Sequence, residues 1–192
     1  MECSLQIKGG STMSTTTHMM TVEEFQNLPE GRGARQELHH GELITLPPPK
    51  LKHSLIQLNL VFLIKPPADP AASVSKGVAF LPLPEHELWV ADVAYLSAER
   101  FRQADRVDYI HVAPEVVIEV LSPSNSASEI LDREQICLAN GAKEFWVVDP
   151  GYPRIKVTTS NGRSTIHVSG DEVPLPLLGA HASLKVDDVF RY

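Results

Sequence analysis

The stretch VVIEVLSPS, residues 116–124, decides how this chain is read. Its valines and isoleucine, bounded by Pro114 and Pro123, describe a strand covered on both faces. Glu119 stands in the middle of that strand, where an unpaired carboxylate costs several kcal/mol. Something must compensate it. A second apolar run, HELWVADVAYLS at residues 86–97, repeats the pattern with Asp92 between Val90 and Val93. Two mostly apolar strands with one acid each suggest a shared cleft, because a divalent cation can keep two converging carboxylates ionised inside a protein. Oxygen ligands of this kind select magnesium or manganese, and no cluster of histidine and cysteine points to zinc. The residues alone leave a second reading open, in which Asp92 ends a strand or accepts backbone hydrogen bonds and Glu119 pairs with an arginine.

The elements around these strands follow from local signals. TVEEFQNLPEG (21–31) carries a capping box, Thr21 with Glu24, and predicts a short helix closed by Pro29 and Gly31. ARQELHHGELITLPPP (34–49) predicts two short strands turning near His40 and Gly41. KHSLIQLNLVFLI (52–64) predicts a largely buried helix with Leu55, Leu58 and Phe62 on one face, broadened by Ile56, Leu60 and Leu63. His53 opens that helix, where it could touch substrate or water. KPPADPAASVSKG (65–77) reads as a loop, and VAFLPLP (78–84) as a strand. SASEILDREQICLANG (126–141) has a second capping box, Ser126 with Glu129, and a stop at Asn140 and Gly141. KEFWVVDP (143–150) is a further strand, ended by Asp149, and RIKVTTSNGRSTIHV (154–168) is a hairpin turning at Asn161 and Gly162. Trp89, Phe145 and Trp146 read as core, and Asp187 with Asp188 as a helix start or a solvated pair. Strands on either side of helices indicate an α/β or α+β domain built on a mixed sheet.

With 192 residues, 43% of them hydrophobic and 21% charged, the chain has ordinary globular composition. Residues 1–20 read as a flexible tail without the features of a signal peptide, and 21–192 as a single domain. No run approaches the roughly 18 apolar residues of a membrane span. The two cysteines, Cys3 and Cys137, suggest neither a disulfide framework nor a metal site, which fits a reducing cytoplasm. A net charge of −7 argues mildly against affinity for nucleic acid supplied by a basic face.

In order, QELHHGELI, KHSLIQLNL, VADVAYLS, PEVVIEVLSPSNS and LDREQICLANGAKEFWVVDP resemble the Uma-two family of restriction-endonuclease-like proteins. The resemblance runs from about Thr21 to Pro150 and beyond, and its most specific part is Pro114 to Pro150. It implies the PD-(D/E)XK nuclease fold, a central mixed sheet flanked by helices, and a metal-dependent site acting on nucleic acid, DNA above RNA. Asp92 matches the first acid of the motif, with Ala91 in place of the usual preceding proline, and Glu119 matches the second. The usual lysine two residues later is Leu121 here. The resemblance implies that the positive charge has moved to the next helix, at Arg133, which can stabilise a transition state but cannot serve as a base. It further implies magnesium or manganese held by Asp92, Glu119 and the carbonyl of Val120, with Glu37 as a third ligand or a supporting group, and a homodimer by analogy. Two alternatives remain: a silent member that binds a partner, supported by Arg133, Ala91 and the acidic chain, and an unrelated two-carboxylate hydrolase of sugars.

Overall fold

The computed structural model describes residues 18–29, 35–64, 71–104, 109–123 and 125–192. The tail up to residue 17, Cys3 with it, and positions 65–70 of the expected loop lie outside the described residues. The chain starts with helix α1 (Val22–Gln26), the strands β1 (Arg35–His39) and β2 (Glu42–Leu46), and helix α2 (Leu51–Leu63). Strands β3 (Ser73–Phe80) and β4 (Trp89–Leu96), helix α3 (Ala98–Gln103), strand β5 (Val116–Val120) and helix α4 (Ala127–Ala139) come next. Strands β6 (Glu144–Asp149), β7 (Arg154–Thr159), β8 (Ser164–Val168), β9 (Glu172–Pro174) and β10 (Ser183–Lys185) lead into helix α5 (Val186–Val189).

One six-stranded sheet, ordered β3-β4-β5-β6-β7-β8, organises these elements. It is mixed: β5 and β6 run parallel, while their other neighbours pair antiparallel. Every residue of β5 is buried. Val116, Ile118 and Val120 meet Ile56, Leu60 and Ile64 from the α2 side, whereas Val117 packs with Ile130 and Cys137 of α4. Strand alternation thus sends Glu119, two residues beyond Val117, toward α4. The expected central mixed sheet with helical cover is what the chain forms.

Local chemistry sets the element ends. Both halves of the capping box are made at Thr21/Glu24 and at Ser126/Glu129. The hairpin from β1 to β2 turns on His40 and Gly41, with φ of 50° and 75°, as a two-residue turn with left-handed backbone requires. A Cβ at Gly41 would lie 2.8 Å from that of Met19, so the position also needs glycine for space. Trp89, Phe145 and Trp146 are core residues, and Asp187 and Asp188 fall in the first turn of α5.

Three expectations change. Helix α2 buries Ile56, Gln57 and Leu60, with Phe62 at 72% exposure, so its inward face is not Leu55, Leu58 and Phe62. That helix is apolar on more than one side, and periodicity cannot choose between apolar sides; the chosen side brings His53 and Gln57 along with Ile56 and Leu60. Ser73–Gly77, expected as loop, is the first half of β3, a sheet edge where Ser75 and Lys76 are exposed and carry little apolar signal. Helix α3, capped by Ser97, and the short pair β9–β10 were not expected. Leu60→Ala should cost about 2–5 kcal/mol in urea unfolding. Phe62→Ala should stay within about 0.5 kcal/mol, and equal costs would contradict this orientation of α2.

Candidate active site

Strands β4 and β5 pair only as far as Val93↔Ile118. One rung further, where Asp92 would stand opposite Glu119, the ladder stops and the strands part. The two acids of the sequence reading sit at this fork. Asp92 Oδ2 accepts the Val120 N–H at 2.9 Å, so the acid takes over a backbone donor freed where the strands separate.

Helix α2 reaches the same carboxylate with two side chains one turn apart. Gln57 Nε2 donates to Asp92 Oδ1 at 2.9 Å, and His53 Nε2 lies 3.1 Å from Asp92 Oδ2. The same His53 nitrogen is 3.0 Å from the Val120 carbonyl oxygen. Arg35 Nη1 adds a longer contact to Asp92 Oδ1 at 3.3 Å.

On the α4 side, Arg133 Nη2 donates to Glu119 Oε1 at 2.9 Å, and Nη1 to Glu37 Oε2 at 2.8 Å. Its guanidinium is buried and stacks 5.0 Å from the centre of the Trp89 ring. Glu37 is completely buried; its other oxygen accepts from Arg35 Nε at 3.0 Å, and His39 Nε2 sits 2.7 Å from Oε2. Arg35, Glu37 and His39 alternate along β1, which places them on one face. Glu37, Asp92, Glu119 and Arg133 therefore belong to one connected network, and Val120 contributes its amide and its carbonyl.

Three carboxylates face two guanidiniums here, and the imbalance is not shared equally. Burial acts to raise Glu37, but the His39 hydrogen bond, Arg133 and Arg35 outweigh it and hold its carboxyl down at about 2. Asp92 is likewise held below its ordinary value, burial being overcome chiefly by His53 and the Val120 amide. Glu119 is pushed up to about 8, foremost by burial and then by the charges of Asp92 and Glu37, against the pull of Arg133. His53 is raised because its hydrogen bond and charge contact with Asp92 outweigh burial.

Arg35, His39 and Gln57 were missed from the sequence. The alternation Arg35-Gln36-Glu37-Leu38-His39 and the i, i+4 pair His53/Gln57 carried the signal, but only a settled inward face of α2 makes the second legible. The alternative pairing of Glu119 with an arginine is realised, by Arg133. Among the described residues, no three histidine, cysteine, aspartate or glutamate side chains form a ready metal cluster. The donor chemistry nevertheless fits a hard cation. Asp92 Oδ2 and Val120 O converge on a single N–H-bearing nitrogen of His53, and Glu119 lacks enough positive charge to stay ionised near neutrality.

This α/β architecture is that of nuclease-like proteins: the chain is similar to a crystal structure of a putative nuclease belonging to DUF820 from Anabaena variabilis, with 25% identity and a TM-score of 0.74, covering 89% of this chain and 97% of that one. The chain belongs to the Uma2 family, described as "Putative restriction endonuclease", which it matches over residues 22–187. No curated protein matches it. No helix among the described residues is long and apolar enough to cross a membrane.

The raised Glu119 pKa links to stability with a definite sign. The folded protein binds a proton that the unfolded chain releases above about 4.5, so metal-free stability falls as pH rises from 4.5 to about 8. Glu119→Gln, which cannot ionise, should gain on the native chain by a few kcal/mol across that window in urea unfolding without metal. Parallel pH curves for the two proteins would contradict the shift.

Proposed function

We propose that residues 21–192 form one metal-dependent nuclease domain that hydrolyses phosphodiester bonds in nucleic acid, most readily DNA. The observation that supports this reading best is the fork itself, where Asp92 Oδ2 and the Val120 carbonyl share the His53 nitrogen and Glu119, the residue before Val120, is held by Arg133. Asp92, Glu119 and the Val120 carbonyl would hold magnesium or manganese, displacing the His53 N–H. When bound, that cation supplies Lewis acidity to a phosphodiester oxygen and lowers the pKa of water in the site.

The chain's own residues do the rest. Gln57 and the Val120 amide fix the Asp92 carboxylate, so it meets its ligand without reorganising. Glu37 orients Arg133 from one side and the Trp89 ring supports it from another, which aims its second nitrogen at the Glu119 position. Arg133 supplies fixed positive charge where negative charge grows in the transition state; it accepts no proton. His53, raised by its contact with Asp92, lies within hydrogen-bond reach of both donor oxygens.

A second reading draws support from the same contacts. Asp92 accepts four donors and Glu119 one from Arg133, so both acids already have protein partners, which suits a silent member that binds without cutting. Asp92→Asn should abolish manganese-dependent cleavage of DNA, assayed on a single-stranded oligonucleotide and on plasmid, and the calorimetric binding of manganese, while Arg133→Lys retains or increases the rate. Cleavage that survives Asp92→Asn would contradict the nuclease assignment, and a native chain that binds no manganese would favour the silent reading.

A further inference from the structure

Beside the fork lies a corner that the proposed chemistry does not use. Strands β5 and β6 are parallel, so the end of β6 emerges at the same sheet edge as Val120. There Asp149 Oδ1 accepts the amides of Gly151 at 2.9 Å and Tyr152 at 3.3 Å. The turn is thereby held with the Tyr152 ring outward, at 75% exposure. The Arg154 guanidinium sits 5.8 Å from the centre of that ring and also pairs with Asp149 at 3.1 Å. Lys52, the neighbour of His53, reaches the same turn: its Nζ donates to the Pro150 carbonyl at 3.1 Å. That ammonium also lies 5.1 Å from the centre of the Tyr192 ring, which is 62% exposed.

Two exposed aromatic rings, each with a cation near it and both joined to the turn at Pro150, together offer flat surface to a ligand. We propose that Tyr152 and Tyr192 are stacking platforms for unpaired bases, with Lys52 and Arg154 contacting the phosphates between them, so that the nucleic acid entering this site is single-stranded. This rests on the nuclease reading and adds the substrate's strandedness to it. Bases in a duplex have their faces covered by neighbours, so exposed aromatic planes serve only unpaired ones. A duplex-tracking surface needs a broad basic face, whereas this chain has a net charge of −7 and the cations held against these rings are Lys52 and Arg154. Affinity must then come from stacking more than from charge.

The test is fluorescence anisotropy with the full chain, in EDTA, using a labelled thymidine 20-mer and the same length of duplex. Working without metal separates this inference from the nuclease reading, which stands or falls on manganese-dependent cleavage. The single strand should bind at least about tenfold more tightly than the duplex. Tyr152→Ala and Tyr192→Ala should each weaken it by about five- to tenfold, while Tyr152→Phe and Tyr192→Phe bind like the native chain. The salt slope should be shallow, about −1.4 for two phosphate contacts on a single strand. Equal binding of duplex and single strand, no binding of either, or alanine variants that bind normally would each overturn the proposal. Plasmid cleavage persisting alongside any of those results would leave the nuclease reading intact.

Discussion

The Arg133 guanidinium between Glu37 and Glu119 is the interaction on which the rest of the site depends. It is buried, it joins hairpin β1–β2 to strand β5 through helix α4, and it stacks on Trp89. Breaking such a buried pair by removing one partner typically costs about 3–5 kcal/mol, because the survivor is left charged and dry. The hairpin is far from β5 in sequence, so this contact closes the site as well as charging it.

From that constraint the electrostatics follow. Arg133 faces two buried carboxylates, and Glu37 has Arg35 and His39 in reach as well, whereas Glu119 has only Arg133 in hydrogen-bond contact among the described residues. Glu119 is left short of positive charge at the point where β4 and β5 separate. Asp92 takes a different route, using the Val120 amide, Gln57 and His53 to stay ionised. The fork thus combines a stable carboxylate, a proton-holding carboxylate and a carbonyl whose donor is a displaceable imidazole, a set suited to a hard cation.

Much of this was legible in the sequence because the signals were local. The capping boxes at Thr21 and Ser126, the Asn161–Gly162 turn and the lone acids Asp92 and Glu119 in apolar strands each state their own constraint within a few residues. Arg133 was found through a resemblance. What stayed hidden depends on long-range choices. The inward face of α2, and with it the role of Gln57, is set by which side meets the sheet. Edge strand β3 lacks the apolar pattern of a covered strand, and Arg35 and His39 gain meaning only once β1 lies against β4.

Arg133 alone leaves Glu119 short of positive charge, and on the proposed function a divalent cation would make up the difference. Carbon-13 NMR of the Glu119 carboxyl, titrated from pH 4 to 9 with and without magnesium, tests it most directly. The expected result is a midpoint near 8 without metal and a carboxylate already ionised at neutral pH when magnesium is present. An ordinary midpoint near 4.5 in the metal-free protein, or a titration that magnesium does not move, would contradict it.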